Sequence, residues 1–203
     1  MTLQVKISKK LVPYKTAFSF LKKRVELIKK SKGKELVWIL EHPLTFTSGI
    51  RANEKEILDK KINIIKTNRG GKITLHSPGQ KIVYFALNLN IRKKDIKNLV
   101  KQIELTIIDF LKLYKIKSKS DKKNIGIWVN DKKIAAIGIR VSNWVAYHGF
   151  SINISNNLDY YKKIIPCGLN NTKVTSIKTQ KKTQILQKEK KLRDIFLKHL
   201  KNI

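Results

Sequence analysis

Residues 125–154 read IGIWVNDKKIAAIGIRVSNWVAYHGFSINI and contain three runs with the composition of β-strands. Isoleucine, valine and aromatic residues are frequent in Ile125 to Asn130, Lys132 to Ser142 and Val145 to Ile154, and these residue types favour strands. Asn130-Asp131 is a short turn signal between the first two runs, which predicts a β-hairpin. We therefore expect this part of the chain to contribute three strands to a mostly antiparallel sheet.

The segment after Pro13 has the spacing of an amphipathic helix, and Ser31-Lys32-Gly33 supplies its stop. Glu35 to Glu41 follows, and its continuous apolar core predicts a strand buried on both faces. His42 to Asn53 contains proline, glycine and several hydroxyl residues, so we predict a loop there and a short helix near Glu54 to Leu58. The apolar stripe of the first helix consists of Tyr14, Ala17, Phe18, Leu21, Val25 and Ile28.

The rest of the pattern alternates strands with two further helices. Strands are predicted near Ile62 to Thr67, Lys72 to His76 and Lys81 to Leu89. Apolar residues at helical spacing predict helices from about Lys93 to Tyr114 and from Thr183 to Leu200. Helices that bracket and interrupt a mixed, mostly antiparallel sheet define an α+β fold, and without a linker or repeat we expect a single domain over residues 1–203.

The chain carries 45 lysine and arginine residues against 14 aspartate and glutamate residues, a formal net charge of +31. Such a charge is typical of proteins that bind nucleic acid, an anionic membrane or an acidic protein. Only six of the basic residues are arginines, and the lysines are spread over every segment, as a bias toward A/T-rich codons would also produce. A nucleic-acid-binding module would need clustered arginines or stacking aromatics on one face, and neither pattern is evident.

Cys167 is the only cysteine in the sequence, so the chain cannot form an internal disulfide. The sequence shows no signal-like start and no apolar run of membrane-spanning length, which together with the single cysteine predicts a protein of the reducing cytoplasm, away from membranes. A lone thiol can pack in a core, ligate a metal with other residue types, or act as a nucleophile. Of these uses we favour the nucleophile.

Two further segments contain residues that are poor choices for simply filling a strand. Arg69 to Gln80 has paired glycines, which allow a ligand to approach backbone N–H groups closely, and Pro78-Gly79 closes a turn. Lys132 to Arg140 has small residues inside a strand, and these leave space above the sheet. An ordinary hairpin remains the alternative for the first segment, and alternation alone cannot choose between Lys132 and Lys133 as the functional lysine.

These segments belong to five ordered blocks that cover most of the chain between residues 35 and 180. The blocks are LEHPLTFTSG (Leu40 to Gly49), TNRGGKITLHSPGQ (Thr67 to Gln80), GIWVNDKKIAAIGIRVS (Gly126 to Ser142), YHGFSINI (Tyr147 to Ile154) and IIPCGLNNTKVTSI (Ile164 to Ile177). Together they resemble the lipoyl(octanoyl) transferase family, the octanoyl-carrier-protein:protein N-octanoyltransferases. The resemblance implies a fold like the catalytic domain of the biotin and lipoate protein ligases.

The resemblance also implies acyl transfer through a cysteine thioester, without a cofactor or a metal. Cys167 matches the family's nucleophile and Lys133 matches the lysine that activates it. A free cysteine has a pKa of about 8.5, and a neighbouring ammonium group lowers that pKa by favouring the thiolate. The substrate-binding blocks match Arg69, Gly70, Gly71, Lys72, Ile73, Thr74, Leu75 and His76, then Ala136, Ile137 and Gly138, then Gly149, Phe150 and Ser151.

Several details of this site are expectations about an eight-carbon acyl chain and its intermediates. The apolar residues Ile73, Leu75, Ile137 and Phe150 are expected to line a slot for the chain. Backbone N–H groups near Gly71 and Gly168 are candidate donors to the oxyanion. His76 and His148 are alternative partners for the cysteine, but the resemblance gives the activating role to lysine, so we expect both to line the pocket.

The resemblance implies that octanoyl-acyl carrier protein is the donor and that lipoyl domains of 2-oxoacid dehydrogenases and the glycine cleavage H protein are the acceptors. Acyl carrier proteins are typically acidic, so lysines around the pocket would attract them. We expect a monomer that binds neither nucleic acid nor membrane. The nearest alternative is an ATP-dependent lipoate or biotin ligase of the same fold, which needs no nucleophilic cysteine.

Overall fold

A computed structural model describes residues 2–121, 123–166, 173–181 and 188–203. The helices are α1 (Tyr14–Lys29), α2 (Ile96–Lys112), α3 (Ile177–Lys181) and α4 (Glu189–Leu200). The strands are β1 (Leu3–Ile7), β2 (Glu35–Leu40), β3 (Thr45–Ser48), β4 (Ile64–Lys66), β5 (Ile73–His76), β6 (Gln80–Asn88), β7 (Lys119–Ser120), β8 (Ile127–Val129), β9 (Lys132–Ser142) and β10 (Val145–Asn153).

The strands form two sheets. The larger has the order β1-β2-β6-β10-β9-β8-β7, and the smaller has the order β4-β3-β5. Two pairs, β1 with β2 and β3 with β4, are parallel, and the other neighbours run antiparallel. The α+β class and the mostly antiparallel sheet predicted from the sequence are therefore confirmed.

Two tight turns organise the hairpins of β8, β9 and β10. Asn130 and Asp131 join β8 to β9, and Asn143 and Trp144 join β9 to β10; all four residues have positive φ. Two consecutive residues with positive φ give the backbone twist that suits a two-residue hairpin connection. The hairpin predicted at Asn130-Asp131 is confirmed.

Helices cover both faces of the larger sheet. Helix α1 packs on one face through Ala17, Leu21 and Val25, against a cluster that includes Trp38 and Tyr84. Helices α2 and α4 pack on the opposite face and form the main core with the other side of β2, β6 and β10. Every residue of β2 is buried, as its continuous apolar run predicts.

Three strands lie where the sequence did not predict them. Strand β1 alternates polar and apolar residues and is largely exposed, because it is an edge strand that pairs through its backbone with β2. Strand β3 lies inside the segment predicted as a loop, and the two-residue strand β7 was also missed. The final helix is present as Glu189–Leu200, whereas residues 182–187 at its predicted start lie outside the described ranges.

Phe196 of α4 provides a test of the main core. Its ring is fully buried and lies 5.9 Å from the ring of Phe85 and 5.5 Å from that of Phe150. Phe196→Ala should lower the free energy of unfolding by about 3–5 kcal/mol, because it removes apolar contacts and leaves a cavity. Chemical denaturation measures this loss. The exposed Leu113→Ala should change stability by less than about 0.5 kcal/mol, and equal effects of the two variants would contradict the packing described.

Candidate active site

One face of the larger sheet and the segment before β5 enclose a cavity of about 320 Å³. Residues from β5, β6, β9 and β10 and from the loops at residues 51, 69–72 and 123–125 line it. The lining consists of Arg51, Arg69, Gly70, Gly71, Lys72, Ile73, Thr74, His76, Ile82, Tyr84, Lys123, Asn124, Ile125, Lys133, Ala136, Ile137, Gly138, His148, Gly149, Phe150 and Ser151.

The floor of the cavity is a row of small residues that strand register brings together. Ser151 of β10 lies opposite Ala136 of β9 and Ile82 of β6, and Gly149 lies opposite Gly138 and Tyr84. Residues opposite one another in antiparallel strands share a face, so these positions point to the same side. Because β9 and β10 contribute only small side chains here, the sheet surface is hollow at this point.

The opposite wall is the Arg69-Gly70-Gly71-Lys72 segment, which is fastened to both sheets. The Gly70 N–H donates to the Ile139 carbonyl at 3.2 Å. The Arg69 guanidinium is buried and donates to the carbonyl and hydroxyl oxygens of Thr47 at 3.0 and 2.9 Å. The Arg69 side chain therefore lies within the wall and joins the segment to β3 through these hydrogen bonds.

Lys133 faces the cavity because of a β-bulge. Ile127 pairs with Ala135 and Trp128 pairs with Lys133, so Ile134 is an extra residue in β9. A bulge of this kind shifts the alternation by one, and Lys133 then shares a face with Ala136 and Gly138, while Ile134 and Ala135 enter the main core. The side chain is 6% exposed, whereas Lys132 is half-buried.

The ammonium group of Lys133 is held at a defined place. Nζ donates to the Ile125 carbonyl at 2.9 Å and lies 5.3 Å from the centre of the Trp128 ring. Gly126 makes room for this side chain, because a Cβ atom at position 126 would lie 2.5 Å from Lys133 Cε. Alternation along the sequence could not tell whether Lys132 or Lys133 faces the cavity. The local backbone geometry places Lys133 there.

Cys167 and Gly168 lie outside the described residues, but the chain on both sides of them is placed close to Lys133. Pro166 lines a second, smaller cavity of about 10 Å³ together with Lys133, Ala136 and Val174. The Lys133 N–H donates to the Lys173 carbonyl at 2.8 Å, and the Thr175 N–H donates to the Lys133 carbonyl at 2.9 Å. Pro166 and residues 173–175, which flank the undescribed residues in the sequence, therefore lie beside Lys133.

Three buried histidines lie at the side of the cavity nearest to α1. His76 Nδ1 is 2.8 Å from Gln80 Oε1, His148 Nε2 is 2.8 Å from Asn68 Oδ1, and His42 Nε2 is 2.9 Å from the Tyr84 hydroxyl. Burial is the largest cause that lowers the pKa of His76 and of His148 to about 3 and that of His42 to about 4. All three are neutral at pH 7, so their rings act as hydrogen-bonding groups without charge.

The structure brings nearly all of the predicted site residues to the cavity. Cys167 lies outside the described residues, and among the described ones Leu75 is the exception, since it is buried with Phe46, Tyr161 and Ile164 in a separate small core. The Phe150 ring packs against Phe196 on the other side of the sheet. The floor of the cavity at this point is therefore formed by Gly149 and Ser151, the neighbours of Phe150 in β10. Sequence reasoning missed Arg51, Ile82, Tyr84, Lys123, Asn124 and Ile125.

The amino-acid sequence is similar to a family of catalytic domains and to named enzymes. Residues 13–200 match the family described as lipoyl protein ligase A/B catalytic domain. An octanoyltransferase of Wolbachia sp. subsp. Brugia malayi (strain TRS) is 45% identical over 177 residues, which is 85% of this chain and 86% of that protein.

Solved structures show the same fold at low sequence identity. A lipoate-protein ligase A bound with ATP has a TM-score of 0.71 and 13% identity, covering 100% of this chain and 85% of that one. A biotin protein ligase from Aquifex aeolicus in complex with biotin and ATP has a TM-score of 0.55 and 16% identity, covering 99% and 71%. The fold is therefore that of the lipoate and biotin protein ligases. Within this class, the chain belongs to the octanoyltransferases of the lipoyl protein ligase A/B catalytic domain family and is an acyltransferase.

The described ranges contain neither a cluster of metal ligands nor a membrane-spanning helix. Among residues 2–121, 123–166, 173–181 and 188–203, no three His, Cys, Asp or Glu side chains are grouped so that they could hold a metal ion. Within the same ranges, no helix combines the length and the apolar character needed to cross a bilayer.

The buried histidines predict a loss of stability in mild acid. Their folded-state pKa values lie below the unfolded value of about 6.5, so below that pH the unfolded chain binds protons that the folded chain does not. As the pH falls from 6.5 to 5, each histidine should lower the free energy of unfolding by about 2 kcal/mol. Urea denaturation at the two pH values measures this. His148→Gln and His76→Gln should each reduce the difference by about that amount; unchanged pH dependence in both would contradict the assignment.

Proposed function

We propose that residues 1–203 form one catalytic domain that transfers an octanoyl group from acyl carrier protein to a lysine of a lipoyl domain, through a thioester on Cys167. The membership of the octanoyltransferases supports the type of acyl group and its use in protein lipoylation. The cavity supports a binding place for the acyl chain, and its floor of small residues fits an unbranched group. A reduced thiol is required, which is consistent with a cytoplasmic enzyme.

The observation that carries this proposal is the pairing of Lys133 with the chain that follows Cys167. Main-chain hydrogen bonds join Lys133 to Lys173 and Thr175, and Pro166 borders the same small cavity as the Lys133 side chain. Pro166 directly precedes Cys167 in the sequence. This arrangement supports Lys133 as the residue that activates Cys167.

In the first half-reaction, the Cys167 thiolate attacks the carbonyl carbon of the donor thioester. The bond from that carbon to the carrier sulfur breaks, and the departing thiolate takes a proton from the Lys133 ammonium group. One thioester replaces another, so the step needs no ATP. The fixed contact of Lys133 Nζ with the Ile125 carbonyl keeps the proton donor at one place in the cavity.

In the second half-reaction, the neutral amine of the target lysine attacks the acyl-enzyme. The bond to the Cys167 sulfur breaks, an amide forms, and the surplus proton of the amine passes to neutral Lys133. Both tetrahedral intermediates carry an oxyanion, for which backbone N–H groups near Gly71 and Gly168 are the candidate donors. Lys133 returns to its charged form, so the enzyme ends the cycle with the same number of protons as it began.

The partners proposed here follow from charge as well as from family. Arg51, Lys72 and Lys123 border the cavity, in a chain of net charge +31. An acidic carrier or acceptor domain would be drawn to this edge, and its attraction would weaken as salt is added. We propose a monomer, since one chain supplies Lys133 and Cys167 together.

Intact mass after incubation with octanoyl-acyl carrier protein, without ATP, tests the covalent step. Wild type should gain one octanoyl group, and Cys167→Ser should gain none. Lys133→Ala should slow acylation by about 10²–10⁴-fold, the usual contribution of general acid–base catalysis. Lys132→Ala is the matched control and should acylate at nearly the wild-type rate. Label on Cys167→Ser, or none on the wild type, would overturn the proposal.

Gly138 offers a test of where the acyl chain lies. A Cβ atom there would be 3.2 Å from the Gly70 carbonyl oxygen and 3.5 Å from Arg69 Cδ, so Gly138→Ala narrows the cavity and requires the Gly70 carbonyl to shift by a few tenths of an ångström. If one methylene of the chain loses its place, the octanoyl-to-hexanoyl rate ratio should fall about fourfold, as expected for about 0.8 kcal/mol. Competition between the two donors measures the ratio. Ser142→Ala, in the same strand outside the cavity, should leave it unchanged; an unchanged ratio in Gly138→Ala would place the chain elsewhere.

A further inference from the structure

Glu56 is a buried carboxylate that contacts the wall of the cavity. Its exposed fraction is 4%, in a chain with only 14 acidic residues. One carboxylate oxygen lies 2.8 Å from Lys72 Nζ, and the other accepts a hydrogen bond from the Ile73 N–H at 3.4 Å. Lys72 and Ile73 both line the cavity. The side chain of Glu56 therefore fixes the wall against which the acyl group is proposed to lie.

The main chain of the same residue holds the segment that leads to Cys167. The Glu56 carbonyl accepts a hydrogen bond from the Ile165 N–H at 2.7 Å, and Ile57 forms an antiparallel bridge with Ile164. The N–H groups of Leu58 and Asp59 donate to the Lys163 carbonyl at 3.0 and 3.1 Å. Pro166, the next residue, borders the small cavity shared with Lys133. Residues 56–59 thus dock directly onto the approach to the cysteine.

The energetics make the two contacts dependent on one another. A carboxylate out of water is costly unless it is paired, and removing one partner of a buried pair leaves the other uncompensated. The Lys72 side chain is 37% exposed, so it can turn toward water, whereas Glu56 cannot do so without moving its turn. Loss of the ion pair therefore shifts Glu56, and this shift weakens the hydrogen bond that the Ile165 N–H donates to the Glu56 carbonyl.

We infer that Glu56 is a positioning residue, which couples the Lys72-Ile73 wall of the acyl cavity to the segment carrying Cys167. The inference rests on the proposed function, since it concerns how the cysteine is aligned for acylation. Misplacement by about 1 Å can slow an enzymatic reaction by about 10²-fold, so a modest shift of this segment has a large effect. The effect falls on the rate of acylation, because the three Glu56 oxygens contact Lys72, Ile73 and Ile165 and Glu56 itself does not line the cavity.

The test measures two quantities on Glu56→Gln and Lys72→Met: hydrogen exchange of the Ile165 amide, and single-turnover acylation by octanoyl-acyl carrier protein. Each variant should raise exchange about tenfold and slow acylation at saturating donor about tenfold. In Glu56→Gln the half-saturating donor concentration should change less than about twofold, whereas Lys72→Met also removes a positive charge from the cavity edge and should raise it. The double variant should slow acylation no more than the worse single variant, because both act through one contact. Glu26→Gln, which removes the exposed ion pair with Lys29, is the matched control and should leave both quantities at wild-type values.

The two measurements separate this inference from the function on which it rests. Thermal unfolding of each variant identifies one that fails to fold, and the other then decides the outcome. Unchanged Ile165 exchange in a folded variant overturns the positioning role, even if no acyl group is ever transferred. Wild type that takes up no octanoyl group overturns the proposed function, while exchange at Ile165 still reports on Glu56. Additive slowing in the double variant would also count against a shared contact.

Discussion

Main-chain hydrogen bonds on both sides of Lys133 hold the site together. They join the start of β9 to residues 173–175, which follow the cysteine segment in the sequence. At the other end of that segment, residues 56–59 hold residues 163–165. The rest of the fold, with helices on both faces of a seven-stranded sheet, keeps these attachments in register.

The sequence was enough to predict the class of fold and most of its elements, because periodicity and turn residues act locally. The helix after Pro13 and the turn at Asn130-Asp131 follow from such signals. Strand β1 could not be found in this way, since an edge strand buries few side chains and pairs through backbone groups that every residue possesses. Strand β3 is only four residues long, and Pro43 and Gly49 on either side of it are typical of loops.

The sequence was enough to predict which segments line the cavity, but not which side chains of each segment point into it. Thr74 and His76 line the cavity and Leu75 does not, because side chains alternate along β5. Tyr84 and Ile82 carry no local signal, since they enter the site through the pairing of β6 with β10. The bulge at Ile134 reverses the alternation in β9, and it is this three-dimensional irregularity that puts Lys133 rather than Lys132 into the cavity. No count of spacing in one sequence reveals such an insertion.

Four of the 14 carboxylates of the chain form ion pairs beneath or partly beneath the surface. Glu35 pairs with Arg92, Glu41 and Glu189 flank Lys81, and Glu56 meets Lys72, all of them at least partly shielded from solvent. The remaining carboxylates are too few to balance 45 lysine and arginine residues, so the molecule keeps a large excess of positive charge. Neighbouring copies consequently repel one another most strongly in dilute buffer, and dissolved salt weakens that repulsion.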